Sequence, residues 1–281
     1  MKYIVKFYIQ WASLLAILSL MPAVNAQTVH IAHCMAGCPE SSLPAGTGAN
    51  EIVVRHLFAA SINGDSGLAD WIAYRVLKDS VGVASLLPRF WLEDNLLSSK
   101  SNLDQLIDNS PRIIQPDLTD REDSSYRINE IIINAEDQGR LAPMSSFAGT
   151  PYWSELNYIS NLASLPNDLR VGSWSRLDQA VNELAARVGE VFVLSGPLYR
   201  IQTLATSADS LSDRPAAFFK VIAAGTQRAA FIFPQDLAQP ANYCDQLSNL
   251  QIIEQETGFT LFPELQNSAD EDLAVELGCK K

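Results

Sequence analysis

Short apolar segments rich in β-branched and aromatic residues are separated by turn-forming residues along most of the chain, a pattern typical of β-strands. The predicted strands are Glu51–Phe58, Asp70–Val76, Val191–Ser195, Phe218–Ile222 and Ala229–Phe233. Asn63, Gly64 and Asp65 lie between the first two strands and favour a turn. We therefore expect those two strands to pair as a hairpin or as neighbours, with Val191–Ser195 at the centre of the sheet.

Two helices are predicted from apolar residues that recur every three or four positions. The first follows Gly172, and its apolar positions are Trp174, Leu177, Val181, Leu184, Ala185 and Val188. The second runs from Leu250 to Glu256 and ends at Gly258. Asn129–Asn134 fits a helix end or a strand. Residues 78–123 are expected to form a long surface loop, because prolines and polar residues interrupt their pattern.

The first 26 residues have the pattern of a secretory signal peptide. Lys2 and Lys6 precede an apolar run from Trp11 to Met21, and small residues end the segment near Ala26. The run is shorter than the about 20 residues that a membrane-spanning helix needs. We predict cleavage near Ala26, export to the periplasm or the extracellular space, and no membrane association of the mature form. An uncleaved amphipathic anchor is the alternative.

The chain is acidic, with a formal charge of −12 at pH 7, and loss of Lys2 and Lys6 with the signal peptide would leave −14. Affinity for phosphate backbones comes from basic contacts, so this overall charge disfavours nucleic-acid binding unless a local basic cleft opposes it. The length of 281 residues and the apolar fraction of 47% suit one sizeable domain with its own core.

Four cysteines in an exported chain predict two disulfides, and three connectivities are possible from the sequence. The spacing favours Cys34 with Cys38, which closes a very short loop, and Cys244 with Cys279, which attaches the C-terminal tail. The alternative is a zinc site formed by His30, His33, Cys34 and Cys38. We favour the disulfides because thiols oxidise in that compartment.

The most informative motif is Glu136-Asp137-Gln138-Gly139-Arg140, followed by Tyr158-Ile159-Ser160-Asn161 and Gly172-Ser173-Trp174-Ser175-Arg176-Leu177. These segments resemble the DNA/RNA non-specific endonucleases, the secreted ββα-metal (His-Me finger) family, whose signature is D-R-G-H. In this chain the signature is D-Q-G-R. The resemblance extends through Cys34–Pro39, Val54–His56, Ala69–Tyr74, Ser195–Tyr199 and Phe219–Ile222 to the last cysteine.

The resemblance implies an α+β fold in which a central, mainly antiparallel sheet is flanked by helices and a ββα element carries the site. It also implies the domain organisation. We expect a signal peptide over residues 1–26, a connector with the small disulfide loop over residues 27–50, and a single endonuclease-like domain over residues 51–281.

Arg140 stands where the family has the histidine that acts as general base. A guanidinium does not accept a proton at ordinary pH, and general-base catalysis typically contributes about 10²–10⁴-fold. The three histidines of the chain, His30, His33 and His56, all lie far upstream of the motif. His56 lies in a predicted strand, where a structural role is expected. The sequence therefore offers no obvious replacement for the missing base.

Arg170 stands where the family has the asparagine that binds magnesium. A guanidinium about 4 Å from a divalent cation opposes it by roughly 8 kcal/mol at an effective dielectric of 20. Millimolar binding supplies only about 4 kcal/mol. Three further departures from the family pattern are Gln138 for the motif arginine, Asp178 for the glutamate of the metal-binding helix and Asn182 for a helix arginine. Matching residues are Arg89, Asp137, Gly139, Asn161, Trp174 and Arg176.

These substitutions predict a secreted pseudonuclease with no bound cofactor. Arg140 and Arg170, together with Asn161 and Arg176, are expected to bind nucleic acid or another phosphate anion without cleaving it. The competing interpretation is that the two arginines are solvated or paired with Asp137 and Asp178.

Two alternatives of other kinds remain. One is an active non-specific endonuclease in which Asp137, Asp178 or Asn161 holds Mg²⁺ and Gln138 and Arg89 belong to the catalytic site. The other is a scaffold that binds a protein partner. The resemblance also implies a possible homodimer.

Overall fold

The computed structural model describes residues 30–41, 50–64, 66–97, 125–128, 131–134, 138–199, 215–265 and 271–280. The predicted signal peptide and Asp137 lie outside these residues. From Ile31 onward the chain forms one compact unit. None of the helices in the described ranges has the length and apolar character that a membrane span requires.

Most strands belong to one sheet, and every pairing in it is antiparallel except that of the short β14 with β11. In chain order the strands of the protein are β1 Glu40–Ser41, β2 Glu51–Val54, β3 Phe58–Ile62, β4 Ala69–Leu77, β5 Ser125–Ile128, β6 Ile131–Asn134, β7 Gln138–Arg140, β8 Leu162–Ser164, β9 Glu190–Leu198, β10 Ala217–Ala224, β11 Gln227–Pro234, β12 Leu247–Ser248, β13 Phe259–Thr260 and β14 Glu271–Asp272. The order across the large sheet is β12-β11-β10-β9-β4-β3-β2.

β9 lies at the centre of this sheet, as its apolar sequence predicted. It pairs with β10 on one side and β4 on the other, and Ser195 lies opposite both Lys220 and Ile72. β10 is buried at every position from Phe218 to Ala223. Both faces of the central strands are therefore covered, which agrees with the near-continuous apolar runs in their sequences.

The prediction of one strand over Glu51–Phe58 is wrong. The chain reverses between β2 and β3, where the Arg55 N–H donates to the Phe58 carbonyl at 2.8 Å. Glu155 accepts hydrogen bonds from the backbone N–H of His56 at 2.9 Å and contacts its ring Nδ1 at 2.7 Å. The partner of β4 is thus β3, not β2. The β-branched residues of this segment predicted a single strand. The turn depends on a contact with Glu155, which lies nearly one hundred residues further along the chain.

The described residues form three α-helices, which are α1 Asn167–Leu169, α2 Ser175–Val188 and α3 Leu250–Thr257. Short 3-10 turns are Lys78–Ser80, Met144–Ser146, Trp153–Asn157, Ile159–Asn161 and Tyr243–Gln246. The predicted stripe of α2 packs in the core except at Val188, which is exposed. Gly258 ends α3 with φ of 69°. Residues 129–130 are outside the described ranges, and β6 settles Ile131–Asn134 as a strand.

A buried ion pair links α2 to the sheet. The Lys220 ammonium on β10 donates to the Asp178 carboxylate in the first turn of α2, and it lies 3.8 Å from the centre of the Trp174 ring. Burial raises the pKa of the Asp178 carboxyl and lowers the pKa of the Lys220 ammonium, while their mutual attraction opposes both shifts. The pair fixes the start of α2 over the centre of the sheet.

Both predicted disulfides are present, Cys34–Cys38 and Cys244–Cys279, and the described part of the chain contains no free cysteine. Cys34 is buried among Ile31, Leu261 and Phe262, so the small loop packs against the body of the protein. The alternative of a zinc site that uses both Cys34 and Cys38 is wrong, because their sulfurs are bonded to each other.

The first prediction concerns these bridges. Replacing Cys244 and Cys279 with serine should lower the free energy of unfolding by about 4 kcal/mol, and replacing Cys34 and Cys38 by about 2 kcal/mol, because the longer loop constrains the unfolded chain more. Urea unfolding measures both losses, and peptide mapping under non-reducing conditions checks the connectivity. Four free thiols in the purified protein would contradict the assignment.

The second prediction concerns the buried pair. Asp178→Asn should destabilise the protein by about 3–5 kcal/mol, because Lys220 is left as an uncompensated buried charge. The double variant Asp178→Leu with Lys220→Met should recover much of that loss. Arg75→Ala, which breaks the exposed Arg75–Glu190 pair at 3.2 Å, is the control and should cost less than about 1 kcal/mol. Equal stability of Asp178→Asn and the control would contradict this account.

Candidate functional site

Gln138, Gly139 and Arg140 of the D-Q-G-R motif form β7, which pairs with β8 in a two-stranded antiparallel ribbon. In it, Gln138 lies opposite Ser164 and Arg140 opposite Leu162. The chain then runs through α1 into α2, which gives the β-β-α order that the resemblance implied. Gly139 is buried, and a Cβ atom at this position would lie 2.5 Å from the Cβ of Leu165. Only glycine allows the ribbon to pack this closely on the core.

The Arg140 side chain is held by neutral groups. Its Nε donates to the Leu156 carbonyl at 3.1 Å, and its Nη2 donates to the Asn157 side-chain oxygen at 2.6 Å. Nη2 also approaches the Phe90 carbonyl at 3.4 Å. The guanidinium carbon lies 4.3 Å from the centre of the Trp91 ring, a cation–π contact. Arg140 is therefore fixed in place without a carboxylate partner among the described residues.

Trp91 packs against the motif and contacts it at two residues. The indole Nε1–H donates to the Gln138 side-chain oxygen at 2.8 Å. The same indole stacks against Arg140, so it contacts both substituted positions of the motif. Gln138 thus holds the loop that carries Arg89, Phe90 and Trp91 against β7.

This loop is anchored by a second buried ion pair. Arg55 donates to Asp94, which also accepts from the Ser160 hydroxyl. A parallel β-bridge joins Leu92 of the same loop to Tyr158. In it, the Leu92 N–H donates to the Asn157 carbonyl at 2.8 Å and the Ile159 N–H donates to the Leu92 carbonyl at 3.0 Å. The loop is therefore fixed directly after Trp91.

Arg140 lies among other arginines. Burial, followed by the charges of Arg89 and Arg170, lowers the pKa of Arg140 to about 10. A pKa near 10 keeps the guanidinium charged at neutral pH. The Arg89 side chain is exposed and has no hydrogen-bond or ion-pair partner within the described ranges. We name Arg89, Arg140 and Arg170 the arginine cluster.

Arg170 begins an irregular helical segment, Arg170–Trp174, that joins α1 to α2. Its N–H donates to the Pro166 carbonyl at 2.8 Å and its Nη2 donates to the Asn167 side-chain oxygen at 2.7 Å. The segment turns at Gly172, where a Cβ atom would lie 2.6 Å from the Gln239 carbonyl oxygen. Arg170, which the resemblance assigns to the metal-ligand position, is close enough to Arg140 for its charge to lower the pKa of Arg140.

Asp178 and Asn161, which were predicted to bind a metal ion or an anion, form other contacts. Asp178 is buried in its ion pair with Lys220 and does not pair with the arginine cluster. Asn161 is 0% exposed; its amide donates to the Ala142 and Leu156 carbonyls at 3.0 Å and accepts from the Ala142 N–H at 2.8 Å. The anion-contact role expected of Asn161 is corrected on this ground, because its polar atoms hold the backbone next to the motif.

Arg176 is directed away from the motif. Its Nη2 donates to the Gln239 carbonyl at 2.9 Å and to the Ala241 carbonyl, and the side chain lines a groove with Arg187, Tyr243 and Glu276. The prediction that Arg176 joins Arg140 at one anion site is therefore corrected. Asn182 is also engaged in the interior, where its side-chain oxygen accepts from the Ser146 hydroxyl at 2.6 Å.

His56 is the histidine to consider as a replacement base. His56 contacts Glu155 through Nδ1 and stacks on Tyr152 with the ring centres 4.1 Å apart, so it is an oriented surface histidine. Within the described ranges, no three His, Cys, Asp or Glu side chains converge to hold a metal ion. The expected role of Asp137 falls outside these ranges and stays a prediction.

The sequence analysis missed Trp91, Asn157 and Lys220, which hold Gln138, Arg140 and Asp178 respectively. Trp91 directly follows Arg89-Phe90, and Asn157 comes just before the Tyr158–Asn161 segment. Their neighbourhood was therefore visible, but their contacts join segments up to 47 residues apart. Lys220 was the stronger missed signal, because a lysine within an apolar central strand requires a buried partner.

The chain is similar to several known nucleases. The family model of the DNA/RNA non-specific endonucleases matches residues 42–268. A nuclease of Serratia marcescens is 28% identical over 282 residues, 95% of this chain and 96% of the relative. The mitochondrial nucleases EXOG of Danio rerio and Homo sapiens are 26% and 28% identical, over 51% and 47% of this chain and 47% and 41% of their own length.

The crystal structure of the EndoG/EndoGI complex aligns with a TM-score of 0.56 over 78% of this chain and 88% of that chain, at 14% identity. At this identity the likeness concerns the fold alone, and it confirms the predicted α+β class with a mainly antiparallel sheet. The family model covers most of the chain, including the motif, α2 and the central strands. The protein therefore belongs to the DNA/RNA non-specific endonuclease family.

Proposed function

We propose that this family member is a secreted pseudonuclease, which binds phosphate anions at the arginine cluster and does not hydrolyse them by the metal-dependent route. The observation that carries the proposal is the fixed, charged guanidinium of Arg140 at the position of the general base. Neutral oxygens and the Trp91 ring hold it, so its charge is available to an anion.

The first missing part is the base. With a pKa of about 10, roughly one Arg140 side chain in a thousand is neutral at pH 7. Even that fraction is poorly placed to remove a proton from water, because Nε and Nη2 are engaged as donors to protein oxygens. His56 is engaged with Glu155 and Tyr152, and it is not among the groups that hold Arg140.

The second missing part is the metal site. Magnesium requires oxygen ligands, of which carboxylates are the strongest. The described residues at the motif do not fit this requirement, since Asp178 is paired with Lys220, Asn161 is buried against the backbone and Arg170 adds positive charge. We therefore propose that the protein functions without a divalent cation.

The proposal of export rests on the N-terminal pattern and on the two disulfides, which persist in oxidising compartments. The homodimer suggested by the resemblance also stays a proposal.

A second candidate function is an active nuclease with a rearranged site. The relative from Serratia marcescens, which matches 95% of this chain, is named a nuclease and favours this candidate. The third candidate, a scaffold that binds a protein partner, has a precedent in a protein of the same fold, because the solved EndoG/EndoGI complex concerns inhibition of EndoG. Neither candidate explains why arginine replaces both the base and the metal ligand.

The third prediction tests catalysis directly. The purified mature protein should leave plasmid DNA and RNA intact with Mg²⁺ or Mn²⁺, because the base and the metal ligand are absent. An active relative in parallel reactions is the positive control. Cleavage that EDTA abolishes would overturn the pseudonuclease proposal and favour the second candidate.

The fourth prediction tests whether the substitutions cause the inactivity. Arg140→His alone should stay inactive, because Arg170 still opposes a metal ion and Gln138 supplies no cation. Combining it with Arg170→Asn and Gln138→Arg should produce weak, metal-dependent cleavage, since residues that act as a unit contribute non-additively.

The matched control for this series is Arg187→His, which places a histidine at the opposite end of α2, where Arg187 bonds the Glu276 carbonyl. It should remain inactive. A triple variant that folds and binds Mg²⁺ without cleaving would show that the block lies elsewhere, with Asp178 and Asn182 as the next positions to restore.

A further inference from the structure

We infer that the arginine cluster selects the dianionic phosphate monoester of a nucleotide or of a phosphorylated strand end over the monoanionic phosphodiester inside a strand, and that the Phe90 ring packs on the attached base. This inference rests on the proposed function, because it specifies the ligand of the same site. A phosphate monoester carries a charge of about −1.5 to −2 at pH 7, whereas an internal phosphodiester carries −1.

The geometry leaves specific donors open. Arg140 uses Nε and Nη2 for the Leu156, Asn157 and Phe90 oxygens. Its Nη1 group forms no hydrogen bond with the described residues, and it is not one of the buried polar atoms that lack a partner. Arg89 is exposed and adds a second guanidinium without a partner in the described ranges. Arg89 lies next to this site, because Arg140 Nη2 approaches the carbonyl of the following residue, Phe90, at 3.4 Å. Two neighbouring arginines therefore have donors open to an anion.

Charge explains the preference for a dianion. Arg89 and Arg170 are both close enough to Arg140 to disfavour its protonated form. No carboxylate in the described ranges neutralises Arg140, and the nearest acid of α2, Asp178, is already paired with Lys220. An anion at this point relieves the repulsion between cations in proportion to its own charge. A second negative charge is therefore worth more here than at an isolated arginine.

An aromatic surface lies beside the charges. Phe90 is 45% exposed and sits between Arg89 and Trp91, while the Trp91 ring is already covered on one side by Arg140. Exposed aromatic rings next to arginines favour planar bases, and stacking of one base is worth about 1–3 kcal/mol by alanine substitution. The Phe90 carbonyl, not its ring, bonds Arg140, so truncating the ring leaves that contact intact.

The test measures the affinity of four ligands for the mature protein by calorimetry at pH 7.5, without divalent metal. They are AMP, inorganic phosphate, the diester ApA and adenosine. AMP should bind at least about tenfold more tightly than ApA, and adenosine should not bind measurably. An oligonucleotide with a 5′-phosphate, compared with its unphosphorylated form, distinguishes a strand end from a free nucleotide.

Three variants assign the contacts. Arg89→Gln should weaken AMP and phosphate binding by at least about tenfold without changing the unfolding midpoint, because Arg89 has no partner in the described ranges. Arg140→Gln should weaken both ligands further, and its unfolding curve shows whether it folds. Phe90→Ala should weaken AMP by at least about fivefold while inorganic phosphate is unaffected. Arg187→Gln is the control arginine and should leave all affinities unchanged.

The outcomes separate this inference from the proposed function. Equal affinity for AMP and ApA would overturn the preference for a dianion and leave the proposed anion site intact. No binding of any anion would overturn both the inference and the anion-binding part of the proposed function. Absence of nuclease activity would not distinguish these cases, since it is expected in each.

Discussion

The fixed guanidinium of Arg140 is the constraint on which the rest of the site depends. Arg140 lies on β7 and connects this strand to two other segments. These are the long loop, through Phe90, and the 3-10 turn that contains Leu156 and Asn157. Trp91 completes the arrangement by contacting both Arg140 and Gln138. A histidine would be too short to make the same set of contacts, so the length of the arginine side chain is part of what holds the loop in place.

The arginine cluster lies in an acidic protein in which two buried acids, Asp94 and Asp178, pair with other cations. The chain has a formal charge of −12, yet the carboxylate of α2 nearest to the motif, Asp178, is neutralised by Lys220. A second acid, Asp94, is taken by Arg55. Both pairs also stabilise the fold, since the Asp178–Lys220 pair attaches α2 to the sheet and the Asp94–Arg55 pair anchors the loop that carries Trp91. The same contacts that stabilise the fold therefore make Asp94 and Asp178 unavailable to Arg140, which has no carboxylate partner in the described part of the chain.

Sequence analysis predicted the fold class, the central strand β9, the helix α2 and both disulfides, because each depends on local periodicity, cysteine spacing or family resemblance. It also singled out Arg140, Arg170 and Arg89, since a motif preserves spacing even when the residues change, and their roles stay predictions. It failed where a distant contact decides the outcome. The turn between β2 and β3 depends on Glu155, and the directions of Arg176 and Asn161 depend on backbone carbonyls whose positions no sequence pattern records.

The most direct test of the central claim is a Mn²⁺ titration of ¹⁵N-labelled protein, followed through the indole N–H signal of Trp91. This group bonds Gln138 and packs on Arg140, so it reports a paramagnetic ion bound at the motif. The account predicts that micromolar Mn²⁺, at which collisions with free ions broaden little, leaves this signal as sharp as that of the buried indole of Trp71 in the core of the sheet. Selective broadening of the Trp91 signal that saturates at micromolar Mn²⁺ would show a working metal site and contradict the account.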